Sequence, residues 1–582
     1  MSLPRPGLIA ARAVNQYRKR DLIGYLATRY LLGSVAAKSD KWAFKVATDL
    51  VVRRSEPAYF ISHHFKGESD DGSFVTRAIS IPSPLEVLAE TALLARCSVF
   101  DGFKNPAHVY TYELSSASDR SGSFVNYWDG LRRRQRDIAS ICTSRMGAGV
   151  VRYLDIKKFY PSIRTEDLRA AWRRFSVVLD STEIELGDRL IDDHAAAGAG
   201  SSCGLLTGPM FSHLLANLVM RDIDDWAENL KGVKYLRYVD DITLIGDEVD
   251  VNRVEAELVV RLASLNLELH DGDSAKSLTV SAKDWLSGRN DFDDQEEEIS
   301  WKALIGDMKR FLLAYPEKSQ DLRAAFLDSG MRLPVYDYAA ESRDASYVEV
   351  VRSLARSVAF RVRAQGVSVA SLILHAARLR DRLRTELDPL VDKLNEVEGY
   401  EQKRLIPRLR FRAGRLVYLA ETGLLRDIAA ETSKSPDLRM HSEIMNATAS
   451  RDVTAILTMG NNAVQSAAQP LRSEGLAVRR NGEVLSEVEC QGLAVLHFNG
   501  LEIDGKFQLH GSSDSSDLLG IAKGEVTRDL MNSDSPFIRE LSSLVGLDDR
   551  NHASLLTRAF DESDELILDA VDRLEESVPF GG

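Results

Sequence analysis

Residues 236–246 read LRYVDDITLIG, two adjacent aspartates between apolar flanks. No Gly, Pro or helical period interrupts Tyr235 to Ile245, so the stretch reads as two short strands hinged at Asp240 and Asp241. Two like charges side by side repel, and burying even one carboxylate without a partner is costly. A bound divalent cation removes the difficulty, because hard oxygen ligands suit Mg²⁺. The pairs Asp70-Asp71, Asp192-Asp193, Asp224-Asp225 and Asp293-Asp294 read as solvated, as surface pairs of this kind commonly are. Here Tyr238-Val239 precede and Ile242, Leu244 and Ile245 follow, a setting that presents turn carboxylates in a cleft.

A cluster of two metals needs a further carboxylate from another strand. VVRYLDIKKFYPSI (150–163) supplies Asp155, which ends an apolar strand as the chain turns. Metals bridged by Asp155 and Asp240 could activate a 3′-hydroxyl and stabilise a leaving pyrophosphate.

LDIKKFYPSI, GLLTGPMFSHLLANLVMRDID and YVDD, in that order, resemble the palm of reverse transcriptases. The resemblance covers roughly residues 60–285. It implies that Asp155, Asp240 and Asp241 are the metal site, with two Mg²⁺ ions (Mn²⁺ as a substitute), and that Asp241 is the less essential ligand. Tyr160 matches the bulky gate that favours dNTP over rNTP, and Phe159 packs inward. Thr207 and Gly208 belong to the loop beside the incoming nucleotide, where Gly208 lets backbone approach closely. Ser212, Ala216 and Asn217 lie on the helix behind it, Asn217 in a structural hydrogen-bonding role. LNLELHDGDSAKS resembles the fourth motif, so that Lys276 approaches the triphosphate and protonates pyrophosphate; the bland alternative is a solvated loop lysine. In the fingers, Arg77 and then Lys66 match triphosphate contacts, or are surface cations. Arg132, Arg133, Arg134 and Arg136 either grip a nucleic-acid backbone or form a solvated face. Where many members read Pro-Gln-Gly this chain reads Leu206-Thr207-Gly208, which puts ordinary templating in doubt.

The implied fold is α+β: a right-hand fingers and palm followed by an all-α, helical-repeat-like C-terminal domain. The expected divisions are an N-terminal helical extension (1–60), fingers and palm (61–288), and a HEAT-like helical domain in place of the thumb (289–582). The acidic stretch RNDFDDQEEEIS (289–300) marks the boundary. Alternation in Phe74–Ile81 predicts a strand, Ser83-Pro84 opens a helix, and HVYTYELSS is a further strand candidate.

Net charge is −13 over 582 residues, which looks wrong for a polyanion binder. Yet residues 1–174 hold 28 Lys+Arg against 17 Asp+Glu, while residues 286–582 carry −12. A ligand meets the local field, so the basic N-terminal third suits nucleic acid. Basic islands at 377–384 and 403–415 line a product channel or pair with acidic helices. Four scattered cysteines without CxxC spacing argue against disulfides or zinc and fit a cytoplasmic protein. No apolar run approaches the roughly 20 residues of a membrane span, and the N-terminus lacks signal-peptide features.

An acidic C-terminal half without a Cys/His module is unlike intron-encoded enzymes, and the Val-Thr-Gly of retron thumbs is missing. TGP followed by a long helical extension resembles the bacterial defence-associated reverse transcriptases, the abortive-infection group of AbiA and AbiK. That resemblance implies dNTPs as substrates, a DNA product, RNA as template or non-coding partner, and assembly as a homo-oligomer or with another protein. Some members work without a template from a protein hydroxyl, leaving the DNA covalently attached. Tyr17 and Tyr338 are accessible-looking candidates for that hydroxyl. The alternatives are an intron- or retron-like templated enzyme and a silent RNA-binding scaffold.

Overall fold

The computed structural model describes residues 7–18, 21–31, 40–69, 71–116, 119, 121–198, 204–271, 276–287, 295–335, 361–362, 364–482, 484–505, 507–509 and 514–546. Cys203, Tyr338, Asp70, Asp293-Asp294 and most of the helix expected over 347–366 lie outside these residues.

The expected fingers region holds an antiparallel hairpin, β1 (Tyr59–Glu68) and β2 (Phe74–Pro82), with a bulge between Phe65 and Gly67. The strand expected over 74–81 is present. β1 begins inside the stretch read as helical, because its polar His63-His64 pair masks the period-2 signal. The helix Pro84–Cys97 starts where Ser83-Pro84 predicts, with Ser83 Oγ accepting from the Glu86 amide. HVYTYELSS forms no regular strand: Val109 bridges to Arg237 and Leu114 to Phe124 only.

The expected palm region holds a four-stranded antiparallel sheet in the order β4 (Lys234–Tyr238), β5 (Asp241–Gly246), β3 (Val150–Asp155), β6 (Leu278–Ser281). The two central strands are apolar on both faces, as strands covered by helices on each side must be. Leu154, Ile242 and Leu244 join the main core with the helices Met210–Glu228 and Glu248–Ser264. Val151, Tyr153, Leu236 and Ile245 form a second cluster with Ile138, Ala139 and Cys142 of the helix Tyr127–Ser144. By alternation Asp155 and Asp241 fall on this second face.

The C-terminal part is mostly helical, including Val369–Leu394, Gly399–Leu419, Arg439–Ser450, Asn461–Glu474, Glu487–Phe498 and Pro536–Gly546. The all-α expectation is corrected by two short parallel pairs, 478–479 with 503–504 and 484–485 with 508–509. They lie in a Gly-punctuated stretch where helical period fails. One buried core is continuous from Ile9 to Leu541, and Phe60 of β1 stacks on Phe537 with ring centroids 5.1 Å apart.

The outer edge of β1 is covered by side chains rather than by a strand. Gln491 Nε2 donates to the Ile61 carbonyl at 2.7 Å and its Oε1 accepts the His63 amide at 3.2 Å. Asn462 Oδ1 accepts the Phe65 amide at 2.7 Å. Gly460 lies so close that a Cβ there would meet the His63 carbonyl oxygen at 2.5 Å. Cys97, Cys142 and Cys490 are buried thiols. Among the described residues no helix is long and apolar enough to cross a membrane.

Candidate active site

β3 and β5 end in register, so Asp155 stands directly opposite Asp241. Asp240 occupies the tight turn between β4 and β5. The turn requires Val239 in the left-handed region (φ 56°), a conformation that a β-branched residue adopts only under constraint. The constraint is visible. Arg237, fully buried, donates from Nη1 to the Val239 carbonyl at 3.0 Å and to Asn217 Oδ1 at 3.1 Å. Asn217 Nδ2 in turn donates to the Thr111 carbonyl at 3.3 Å and to Asn105 Oδ1 at 3.2 Å. Asn217 therefore has the structural role expected of it.

The carboxylates are crowded and mostly out of water. Burial, and then the Asp155 charge, push Asp240 up to about 6. Burial pushes Asp241 well above the usual carboxylate range; Asp240 and Asp155 add to this and Arg134 opposes it. Asp155 Oδ2 accepts from Lys276 Nζ at 2.9 Å and lies 3.3 Å from His270 Nε2. Asp155 Oδ1 is buried with no hydrogen-bond partner. Such an orphaned anionic oxygen beside two further carboxylates has the donor chemistry of a hard divalent cation site. Among the described residues no three His, Cys, Asp or Glu side chains close around a single cation position. The carboxylates repel one another, and the Lys276 ammonium already neutralises one of them. Asp155, Asp240 and Asp241 fit Mg²⁺ as oxygen donors.

The other expected residues distribute around this centre. Arg77 is exposed on β2, and its charge opposes the rise at Asp240. Lys66 is exposed at the bulge of β1. Gly208 has φ 126°, and a Cβ there would meet the Ser80 carbonyl oxygen at 2.3 Å. Its conformational freedom thus serves a close approach to β2, secured by the Ser80 amide donating to the Thr207 carbonyl at 2.8 Å. Behind the loop, buried Glu90 Oε2 accepts the Met210 and Phe211 amides at 3.0 and 3.3 Å, capping the helix that carries Ser212, Ala216 and Asn217. Tyr160, on the turn after β3, pairs its hydroxyl with His213 Nδ1 at 2.5 Å. Phe159 is buried, as expected.

Several expectations are corrected. Arg134 is buried and grips the palm rather than a polyanion: it donates to Thr243 Oγ1 at 2.6 Å, lies 3.9 Å from Asp241 Oδ2, and sits over the rings of Tyr153 and Tyr238. Arg133 pairs with Glu113 at 2.8 Å; Arg132 and Arg136 stay exposed. Asp224 is not solvated but buried against Arg237, and buried Asp193 pairs with Arg189. Tyr17 is 1% exposed in the core, so it cannot offer a priming hydroxyl. In the basic island 403–415, Arg412 pairs with Glu386 at 2.9 Å and Arg410 is buried beside Asp437, the pairing alternative.

Two functional candidates, His270 and Arg237, escaped the sequence reading, and Lys403 was read only as part of the basic island 403–415. His270 reaches Asp155 because residues 268–270 run beside 155–157, with the His270 amide on the Asp155 carbonyl at 2.9 Å. Lys403, from the first turns of Gly399–Leu419, brings a cation toward Asp241 and Asp155; their charges oppose the lowering that burial causes at its ammonium. Neither contact leaves a local signal. Arg237 does: an arginine inside an apolar strand demands a buried acid, and Asp224 falls on the Asn217–Met220–Ala227 face of its helix.

No family model matches the chain, and no curated protein matches it. Among solved structures it is similar to a Candida tropicalis apo telomerase truncated from the C-terminal domain (10% identity, TM-score 0.26, 43% of this chain and 57% of that one). A Candida albicans telomerase in complex with a fragment of telomeric RNA gives 11% identity and TM-score 0.25 over 43% of this chain and 48% of that one. The longer Candida tropicalis apo telomerase gives 11% and 0.28 over 61% and 68%. The chain thus spans about half the length of the first two. At such scores the likeness carries no weight of its own, and the palm-type reading rests on the sheet order, the Asp155–Asp241 register and the turn at Asp240.

Proposed function

We propose that the chain is a reverse-transcriptase-type DNA polymerase that adds dNTPs to a DNA strand with two Mg²⁺ ions and acts in anti-phage defence. The observation that carries this reading is the register pair Asp155–Asp241 with Asp240 on the adjoining turn, one oxygen of Asp155 being buried and unpartnered. When bound, the metals would supply Lewis-acid polarisation of phosphate oxygens and favour ionisation of the attacking hydroxyl. Asp155, Asp240 and Asp241 would hold them. Lys276 and Arg77 carry positive charge to the same centre, where a triphosphate would need it. Tyr160 provides the ring edge against the sugar. The defence assignment follows the resemblance of a TGP palm with a long helical extension, and the same resemblance supports untemplated or protein-primed synthesis.

The test is incorporation of labelled dNTPs by purified full-length protein with Mg²⁺. Asp240→Ala should abolish it; undiminished synthesis by that variant would falsify the assignment. Sequencing the product, and asking by protease and nuclease treatment whether it is attached to polypeptide, separates templated from protein-primed synthesis. Loss of phage protection in cells carrying Asp240→Ala tests the defence role separately.

A further inference from the structure

Tyr160 does not stand alone beside the carboxylates. Its hydroxyl meets His213 Nδ1 at 2.5 Å, and the His213 ring lies flat on Tyr112, with centroids 3.8 Å apart and planes 4° from parallel. Phe124 meets Tyr112 edge-on at 5.4 Å, and Phe159 meets Tyr160 at 5.3 Å. His213 is 3% exposed and sits on the first turn of the helix that follows the Gly208 loop. Tyr112 holds a left-handed backbone (φ 50°), which L-residues adopt only where the surroundings impose it. The imposing contacts are known: Thr111, the preceding residue, gives its carbonyl to Asn105 and Asn217, and Asn217 also holds Arg237, whose other bond fixes the Val239 carbonyl beside Asp240. One buried network therefore sets both the backing ring of Tyr160 and the turn that carries a metal-site carboxylate.

We infer that His213, braced by Tyr112, is a positioning residue for sugar selection: it locks the Tyr160 ring in the pose that accepts a deoxyribonucleotide and rejects the 2′-hydroxyl of a ribonucleotide. This rests on the polymerase reading above. A phenol ring free to turn about χ1 and χ2 would yield to an extra oxygen, whereas one whose hydroxyl is tied to a stacked, buried imidazole resists it. Rejection of a hydroxyl by sterics alone is a small free-energy difference, so the stiffness of the wall decides its size. Ordinary aromatic packing would bury these rings too, but it would not bring a ring nitrogen to the phenol oxygen while laying the imidazole coplanar on Tyr112.

The experiment compares full-length wild type, His213→Ala, His213→Gln and Tyr160→Phe for incorporation of each labelled dNTP and its rNTP with Mg²⁺, reading kcat/KM for both sugars. Should the wild type incorporate neither, the polymerase reading itself fails. Given dNTP incorporation by the wild type, His213→Ala and Tyr160→Phe should each lower dNTP-over-rNTP discrimination by about tenfold, and His213→Ala should change dNTP kcat by less than about threefold. His213→Gln, which keeps a hydrogen-bonding group in reach, should recover much of the discrimination. Unchanged discrimination in Tyr160→Phe overturns the inference, and that variant decides alone where His213→Ala does not fold by circular dichroism.

Discussion

Arg237 and Asp224 form a fully buried bidentate pair, with Nε to Oδ1 at 2.9 Å and Nη2 to Oδ2 at 2.6 Å. The same guanidinium is the brace of the Asp240 turn, so one ion pair between a strand and a helix carries both palm integrity and the pose of a candidate metal ligand. Breaking one side leaves an uncompensated charge in the core, which costs about 3–5 kcal/mol. Arg237→Met and Asp224→Asn should each lower the unfolding free energy from a urea titration by that much. The double variant should cost clearly less than the sum, because it leaves neither charge orphaned. Additive losses in the urea titration would show that the two residues act independently. Arg237→Lys keeps the charge but loses the fork, and should still impair incorporation.

Charge at the carboxylate centre works against folding. Asp240 is raised to about 6 by burial and by Asp155, so its ionised form is penalised in the folded chain. A raised acid contributes most at low pH, and that contribution is lost as pH rises through about 6. At pH 7.5 without metal, Asp240→Asn should therefore stabilise the protein by about 3 kcal/mol, the rise from 3.8 to about 6 taken at roughly 1.4 kcal/mol per pKa unit. Added Mg²⁺ should stabilise the wild type and not the variant. A thermal melt with and without the ion checks both halves.

A second acidic group has no such chemistry to serve. Glu86 is fully buried in the first turn of the helix Pro84–Cys97, and burial lifts it to about 8 although Arg54 lies 2.9 Å away. The ion-pair distance alone suggests a carboxylate, but desolvation is the larger influence and one partly exposed guanidinium does not offset it. Stability from Glu86 is complete below its unfolded value near 4.5 and falls as pH climbs toward 8. Melting temperature should decline across pH 5–8, and Glu86→Gln should flatten that decline. Glu90, raised by burial and by Glu86, leaves a residual slope of the same sign.

Gln491 ties the C-terminal part to the fingers by two bonds on the β1 backbone. Gln491→Ala should free the Ile61 carbonyl and the His63 amide, at a cost of about 1–3 kcal/mol for groups left without partners. Hydrogen exchange should quicken at His63 and at the Phe65 amide held by Asn462, and stay unchanged in β3 and β5. Equal protection in the variant would mean that the hairpin is held elsewhere.

The central strands and their acidic turn were legible because their signal is local. Apolar flanks around Asp240-Asp241, an apolar strand ending in Asp155 and a Gly-Pro loop before a long helix each lie within a dozen residues, and period-2 alternation places both acids on one face. Residues whose role depends on a distant partner were not legible. Asp224 looked like any surface pair until Arg237 was found buried against it, and Arg134 read as part of a basic run until its helix was seen packed on Tyr153 and Tyr238. Lys403 is separated from Asp155 by more than two hundred residues of chain, so nothing near it in sequence announces the approach. β1 was lost for a different reason: half-buried strands with paired histidines obey neither alternation nor helical spacing.

The side-chain cap on β1 also limits how this protein can be taken apart. A strand whose outer amides and carbonyls are met by Gln491 and Asn462 becomes, once residues beyond 300 are cut away, a bare ribbon ready to pair with its neighbour. The stacking of Phe60 on Phe537 would be lost in the same cut, leaving an aromatic ring in water. Excising the β1–β2 hairpin and the four-stranded sheet as a minimal unit should yield intermolecular sheet and precipitate, so the candidate site holds its shape only in the whole polypeptide.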